Sequence, residues 1–180
     1  MPKSEEKKWY VMRDLKRVNA LLPAYRQLAD LNMEVFTPMR ERLIVRKGKK
    51  IREQVPYLQD LLFVHESRQT LDPVVAKTPT LQYRYMKGVP YLQPMTVPDH
   101  EMNRFILAVK SSKNLHYYKP DEITPDMHGA RIRIIGGTLD NYEGFLLTTR
   151  GTKVKRLLVE LPGIISAAVQ IVDCEYAVLM

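Results

Sequence analysis

The sequence lacks most of what staples or metallates a small protein. Its single cysteine, Cys174, can close no internal disulfide and leaves no cysteine cluster for a structural metal. The four histidines, His65, His100, His116 and His128, are scattered, and no HExxH spacing occurs. No apolar run approaches the roughly 18 residues a membrane helix needs, and the lysine-rich start is not followed by the apolar stretch of a signal peptide. Gly136-Gly137 has no downstream Lys-Ser/Thr and opens no helix, so it reads as a strand turn rather than a phosphate cradle. Asp121-Glu122 is a solvated pair in a proline-rich stretch, not a catalytic dyad. These absences point away from an enzyme, a metalloprotein and a membrane protein. The expectation is a cytoplasmic protein without cofactor, metal or catalytic residue.

What is present is the composition of a globular protein: 180 residues, 45% hydrophobic and 27% charged. That length suits one compact domain plus a small satellite. The net charge of +8 is unevenly placed. Residues 1–110 hold 20 Lys+Arg against 12 Asp+Glu, whereas residues 111–180 hold 8 of each. Arg40, Arg42, Arg46, Lys47, Lys49, Lys50 and Arg52 crowd seven cations into residues 40–52, opposed there only by Glu41. Such a cluster implies a polyanion nearby.

Periodicity organises the rest. Lys8–Arg13 reads as a short strand, and the spacing of Val18, Leu21, Leu22, Tyr25, Leu28, Ala29 and Leu31 predicts a helix with Pro23 in its first turn. Residues 33–38 and 43–46 read as strands, the second turning at Lys47-Gly48-Lys49-Lys50 into a basic hairpin. The apolar run Leu61–Val64 has the length of a central strand covered on both faces. Prolines at 73, 79, 90 and 94 break residues 70–97, leaving only a short strand at 81–85. After Pro98, the spacing of Met102, Phe105, Ile106 and Val109 predicts a helix. Residues 111–126, with Ser-Ser-Lys-Asn, Tyr117-Tyr118 and two prolines, read as a linker. Beyond them, short apolar strands separated by glycine turns predict a small β-barrel.

Two sets of residues together carry a resemblance. Lys8-Trp9-Tyr10-Val11 at the start, Phe36-Thr37-Pro38 before a basic hairpin, and Pro56 leading into Leu62-Phe63-Val64 resemble the N-terminal domain of the NusG family of transcription elongation factors. Downstream, Gly129–Ile134 and the segment Gly137-Thr138-Leu139-Asp140-Asn141-Tyr142-Glu143-Gly144 resemble the KOW motif that opens the family's C-terminal barrel, with Gly129, Gly137, Tyr142 and Gly144 as motif positions. The C-terminal strands are most similar to specialised paralogues of the UpxY type, which antiterminate capsular polysaccharide operons. The fold class implied is α+β: an antiparallel sheet flanked by helices over residues 1–110, a linker over 111–126 and an all-β barrel over 127–180.

The resemblance also implies partners. The N-terminal domain would bind the clamp helices of the largest RNA polymerase subunit, through positions matching Leu58, Leu61 and Phe63, with Arg13 and Lys16 beside them. The cations at 40–52 would approach upstream duplex DNA or the non-template strand. The barrel would recruit a ribosomal protein or Rho, and the chain would act as a monomer. One departure stands out: where the family has Phe-Pro-Gly-Tyr before the central strand, this chain has Leu58-Gln59-Asp60-Leu61, which alters that corner. A second reading, a KOW protein that binds ribosomal RNA, would place its cations on the barrel, and the barrel region is neutral.

Overall fold

The computed structural model describes residues 5–15, 22–112, 114–148, 150–151, 153–171 and 175–180. Lys16, Val18, Leu21 and Cys174 lie outside the described residues. The chain divides into two compact units, Met1–Asp99 and His100–Met180.

In the first unit the elements run β1 (Lys8–Asp14), α1 (Ala24–Asp30), β2 (Glu34–Phe36), β3 (Met39–Arg46), β4 (Lys49–Pro56), β5 (Leu62–Glu66), α2 (Arg68–Lys77), β6 (Leu81–Tyr83) and β7 (Thr96–Val97). The main sheet is antiparallel in the order β2-β5-β1-β6, with β7 also paired to β1. The apolar run at 61–64 therefore does form an inner strand. Period-2 alternation sorts the two central strands onto two faces. Tyr10, Met12, Leu62 and Val64 face a core completed by Leu28 of α1, Leu71 of α2, Leu81 and Tyr83. Trp9, Val11 and Phe63 point the other way and are buried as well.

Three local features differ from the sequence reading. Helix α1 begins at Ala24, and Pro23 is its extended N-cap residue instead of a first-turn residue. The buried carboxylate of Asp14 accepts a 2.7 Å hydrogen bond from the Ala24 backbone N–H, tying the end of β1 to the start of α1. Helix α2 contains Pro73, which was expected to break the chain. The missing N–H deprives only the Gln69 carbonyl, in the exposed first turn, where water can replace the bond. Ser67 caps this helix by accepting from the Thr70 N–H at 3.2 Å. Strand β7 carries no pattern of its own and forms because β1 offers it a free edge.

The second unit holds α3 (Asp99–Ser111, which begins one residue before the division), β8 (His116–Tyr118), 3-10 turns at Pro120–Glu122 and Pro125–Met127, β9 (His128–Ile135), β10 (Glu143–Leu147), β11 (Arg156–Leu161), β12 (Ile165–Gln170) and β13 (Glu175–Val178). Its sheet is six-stranded and antiparallel in the order β13-β9-β10-β11-β12-β8. The chain is thus α+β with a C-terminal all-β sheet. The segment read as a linker instead supplies β8, whose Tyr117 is paired with Ala167. Tyr118, Ile123 and Met127 pack on Leu147, Leu158 and Ala168. Burial of these apolar side chains outweighs the local breakdown of periodicity.

Candidate functional site

The basic segment is a two-stranded hairpin, β3 with β4, outside the main sheet and in register from Met39↔Pro56 to Arg46↔Lys49. It closes through Lys47 and Gly48, both at positive φ (49° and 74°), which makes a two-residue turn whose twist matches the strands. Arg40, Arg42, Arg46, Lys47, Lys49, Lys50 and Arg52 are all exposed. Register supplies a counter-charge that counting within 40–52 passed over. Glu53 lies opposite Arg42 and reaches Arg42 at 3.9 Å and Arg46 at 3.6 Å, while Glu41 holds Arg52 at 3.2 Å. Arg40 sits 5.9 Å from the Tyr57 ring. Among the described residues no carboxylate lies within ion-pair distance of Lys47, Lys49 or Lys50, so the free charge concentrates at the tip. Exposed Leu43, Val45 and Ile51 lie between the cations.

The residues assigned by resemblance to polymerase contact separate on folding. Arg13 is exposed at the end of β1, and Leu58 is half-buried in the turn before β5, where the Leu61 N–H donates to the Leu58 carbonyl at 3.3 Å. Leu61 and Phe63 are 1% and 0% exposed, which corrects the expectation that they form an open patch. Phe63 is paired with Val11 and Phe36, and its ring lies 6.2 Å from that of Phe36. The Thr37 hydroxyl donates to the Leu61 carbonyl at 2.9 Å and fixes this corner. Leu58 and Arg13 can reach a partner as they stand; Leu61 and Phe63 are buried and cannot.

Two groups near this corner were missed by sequence reasoning. Arg84 follows β6, and its guanidinium, with that of Arg13, approaches one oxygen of Asp60. Burial pulls the Arg84 pKa below its ordinary value; Asp60 opposes that fall and the like charge of Arg13 adds to it. On the opposite side of the sheet, the Asp72 carboxylate accepts from Arg68 Nε at 2.7 Å and from the Tyr83 hydroxyl at 2.6 Å. The Arg68 hydrogen bond holds Asp72 below the usual carboxylate value.

In the second unit the positions that carry the resemblance to a KOW motif cluster on β9, β10 and the turn between them. Gly144 is paired with Ile132, and a Cβ there would lie 2.8 Å from Leu157 Cδ1 and 2.9 Å from the Leu158 carbonyl, so only glycine lets β10 approach β11 this closely. Gly129 is likewise hemmed in by the Leu146 carbonyl at 2.7 Å, and Gly137 takes φ 71° in the turn. Tyr142 lies beneath the Arg104 guanidinium at 4.3 Å, and burial pushes its hydroxyl pKa up to about 12. Glu143 holds Arg133 at 2.6 Å and Arg131 at 2.9 Å, which offsets part of the positive charge of β9 on its own sheet.

An antiparallel α+β unit that carries an exposed basic hairpin is followed by a unit of one helix and a six-stranded antiparallel sheet. The family model described as "Transcription termination factor nusG" matches residues 7–106, more than half of the sequence. The chain belongs to the NusG family of transcription factors. None of the curated proteins matches it. Among solved structures, one titled "Domain interaction in Thermotoga maritima NusG" is similar over 92% of this chain and 93% of that chain, at 15% identity and a TM-score of 0.44.

Proposed function

We propose that this chain docks on the clamp helices of the largest RNA polymerase subunit and promotes elongation through pause or termination sites, as a specialised antiterminator of the UpxY type acting on particular operons. The observation that carries this reading is the family match over residues 7–106, which takes in both the apolar sheet face and the basic hairpin. Docking would use the rim at Leu58 and Arg13, at the edge of the strand that buries Leu61 and Phe63, with Lys16 two residues after β1 in the sequence. An apolar contact of this kind supplies stable binding, and the lysine tip of the hairpin supplies salt-sensitive attraction to the non-template strand or upstream duplex. The second unit acts as a KOW module that recruits a ribosomal protein or Rho, and the protein works as a monomer without cofactor. Antitermination is tested by transcription in vitro across a terminator of a polysaccharide operon: added protein raises read-through there and leaves an unrelated terminator unchanged. Equal read-through at both would mark a general factor, and none at either would refute the elongation role.

A further inference from the structure

Asp60, the residue at which this chain departs from the family's Pro-Gly corner, receives two arginines and satisfies neither. Arg13 Nη2 lies 3.8 Å and Arg84 Nη2 3.6 Å from the same oxygen, Asp60 Oδ2. Both separations exceed hydrogen-bonding distance, and neither contact is bidentate. Among the described residues Asp60 is the only carboxylate within ion-pair distance of either guanidinium. The Arg84 side chain is 25% exposed, and its buried Nε has no hydrogen-bond partner. A partly desolvated guanidinium with an idle Nε is costly unless an anion completes it. The cluster therefore holds two cations against one anion.

We propose that Arg13 and Arg84 form a receiving site for a carboxylate side chain of the docked polymerase, with Asp60 as the internal placeholder that keeps the two guanidiniums together until that carboxylate arrives. The inference rests on docking at this face. A protein carboxylate fits better than a phosphate for two reasons. The site borders Leu58 and the apolar strand β5 and not the lysine-tipped hairpin, and the Asp60 carboxylate between the arginines interrupts the run of positive potential that a nucleic-acid backbone follows. An acidic side chain on an apolar helix would meet both Leu58 and the two guanidinium ends.

The test is binding of the full chain to core RNA polymerase without nucleic acid, titrated at several salt concentrations, for wild type, Arg84→Gln and Asp60→Asn. Arg84→Gln should weaken binding about tenfold or more. Asp60→Asn removes the competing carboxylate and should tighten binding about threefold, an increase that misfolding cannot produce. If wild type binds and both variants match it, the receiving site is wrong and docking stands. Should wild type itself fail to bind, docking and the receiving site fall together. Effects seen only when the polymerase carries a DNA–RNA scaffold would make the site a phosphate receiver and overturn the proposal.

Discussion

Asp72 shows how much a single side chain can organise. It accepts from Arg68, one turn earlier on α2, and from Tyr83 on β6, while the Arg68 guanidinium lies 5.0 Å from the Tyr83 ring. Because its pKa is lowered from 3.8 in the fold, this carboxylate contributes stability that is present above about pH 3.8 and is lost as the pH falls further. Arg68 and Asp72 are both nearly half exposed, so the contribution is expected below about 1 kcal/mol. Asp72→Asn should therefore cost little at pH 7 and flatten the acid limb of stability, as urea titrations between pH 3 and 7 would show; an unchanged acid limb would remove Asp72 from the account. Phe63 poses the opposite problem. An apolar residue in a continuous apolar run reads the same in sequence whether it docks a partner or fills a core, and only its 0% exposure decides between them here. Phe63→Ala should cost about 3–5 kcal/mol in urea unfolding. A loss below about 1 kcal/mol would return it to the surface. Asp60 was legible as a departure from a pattern, but its two arginine partners come from distant strands and could not be read from spacing.

At the level of elements, the strands and helices with strong periodicity were visible: β1, β5, α3 and most strands of the second unit. The basic hairpin was visible because its turn chemistry and its charge coincide at Lys47-Gly48. What failed was what packing, not pattern, decides. Pro73 hid α2 because the loss of one exposed hydrogen bond is outweighed by burial of Leu71 and the Ser67 cap. Tyr117-Tyr118 hid β8 because its support comes from β12, about fifty residues away. The hairpin carries a prediction of its own. Replacing Lys47, Lys49 and Lys50 with Ala removes the tip charges that no carboxylate opposes, so binding to a non-template-strand oligonucleotide should weaken to a similar degree across sequences. The salt slope should also fall, by about 0.7 for each single-strand phosphate that is no longer neutralised. Loss of one preferred sequence with others retained would make the hairpin a reader of bases and contradict this.

For the molecule as a whole, charge location proved more informative than net charge. The surplus of cations lies within residues 1–110, while residues 111–180 hold 8 Lys+Arg against 8 Asp+Glu. That distribution favours a chain that approaches nucleic acid through its first unit over one that binds RNA through its β-sheet. The division falls at Asp99, so α3 and the segment taken for a linker group with the second unit. Periodicity reports which residues form a helix and not which neighbours that helix joins. In the proposed function the first unit brings this chain to RNA polymerase. This role is tested most directly by titrating the full chain against core RNA polymerase and comparing wild type with Leu58→Glu, a half-buried rim position whose change leaves the core intact. Wild type should bind saturably and the variant should bind about tenfold or more weakly, with unchanged circular dichroism. Absence of wild-type binding, or equal binding by a folded Leu58→Glu protein, would contradict this role.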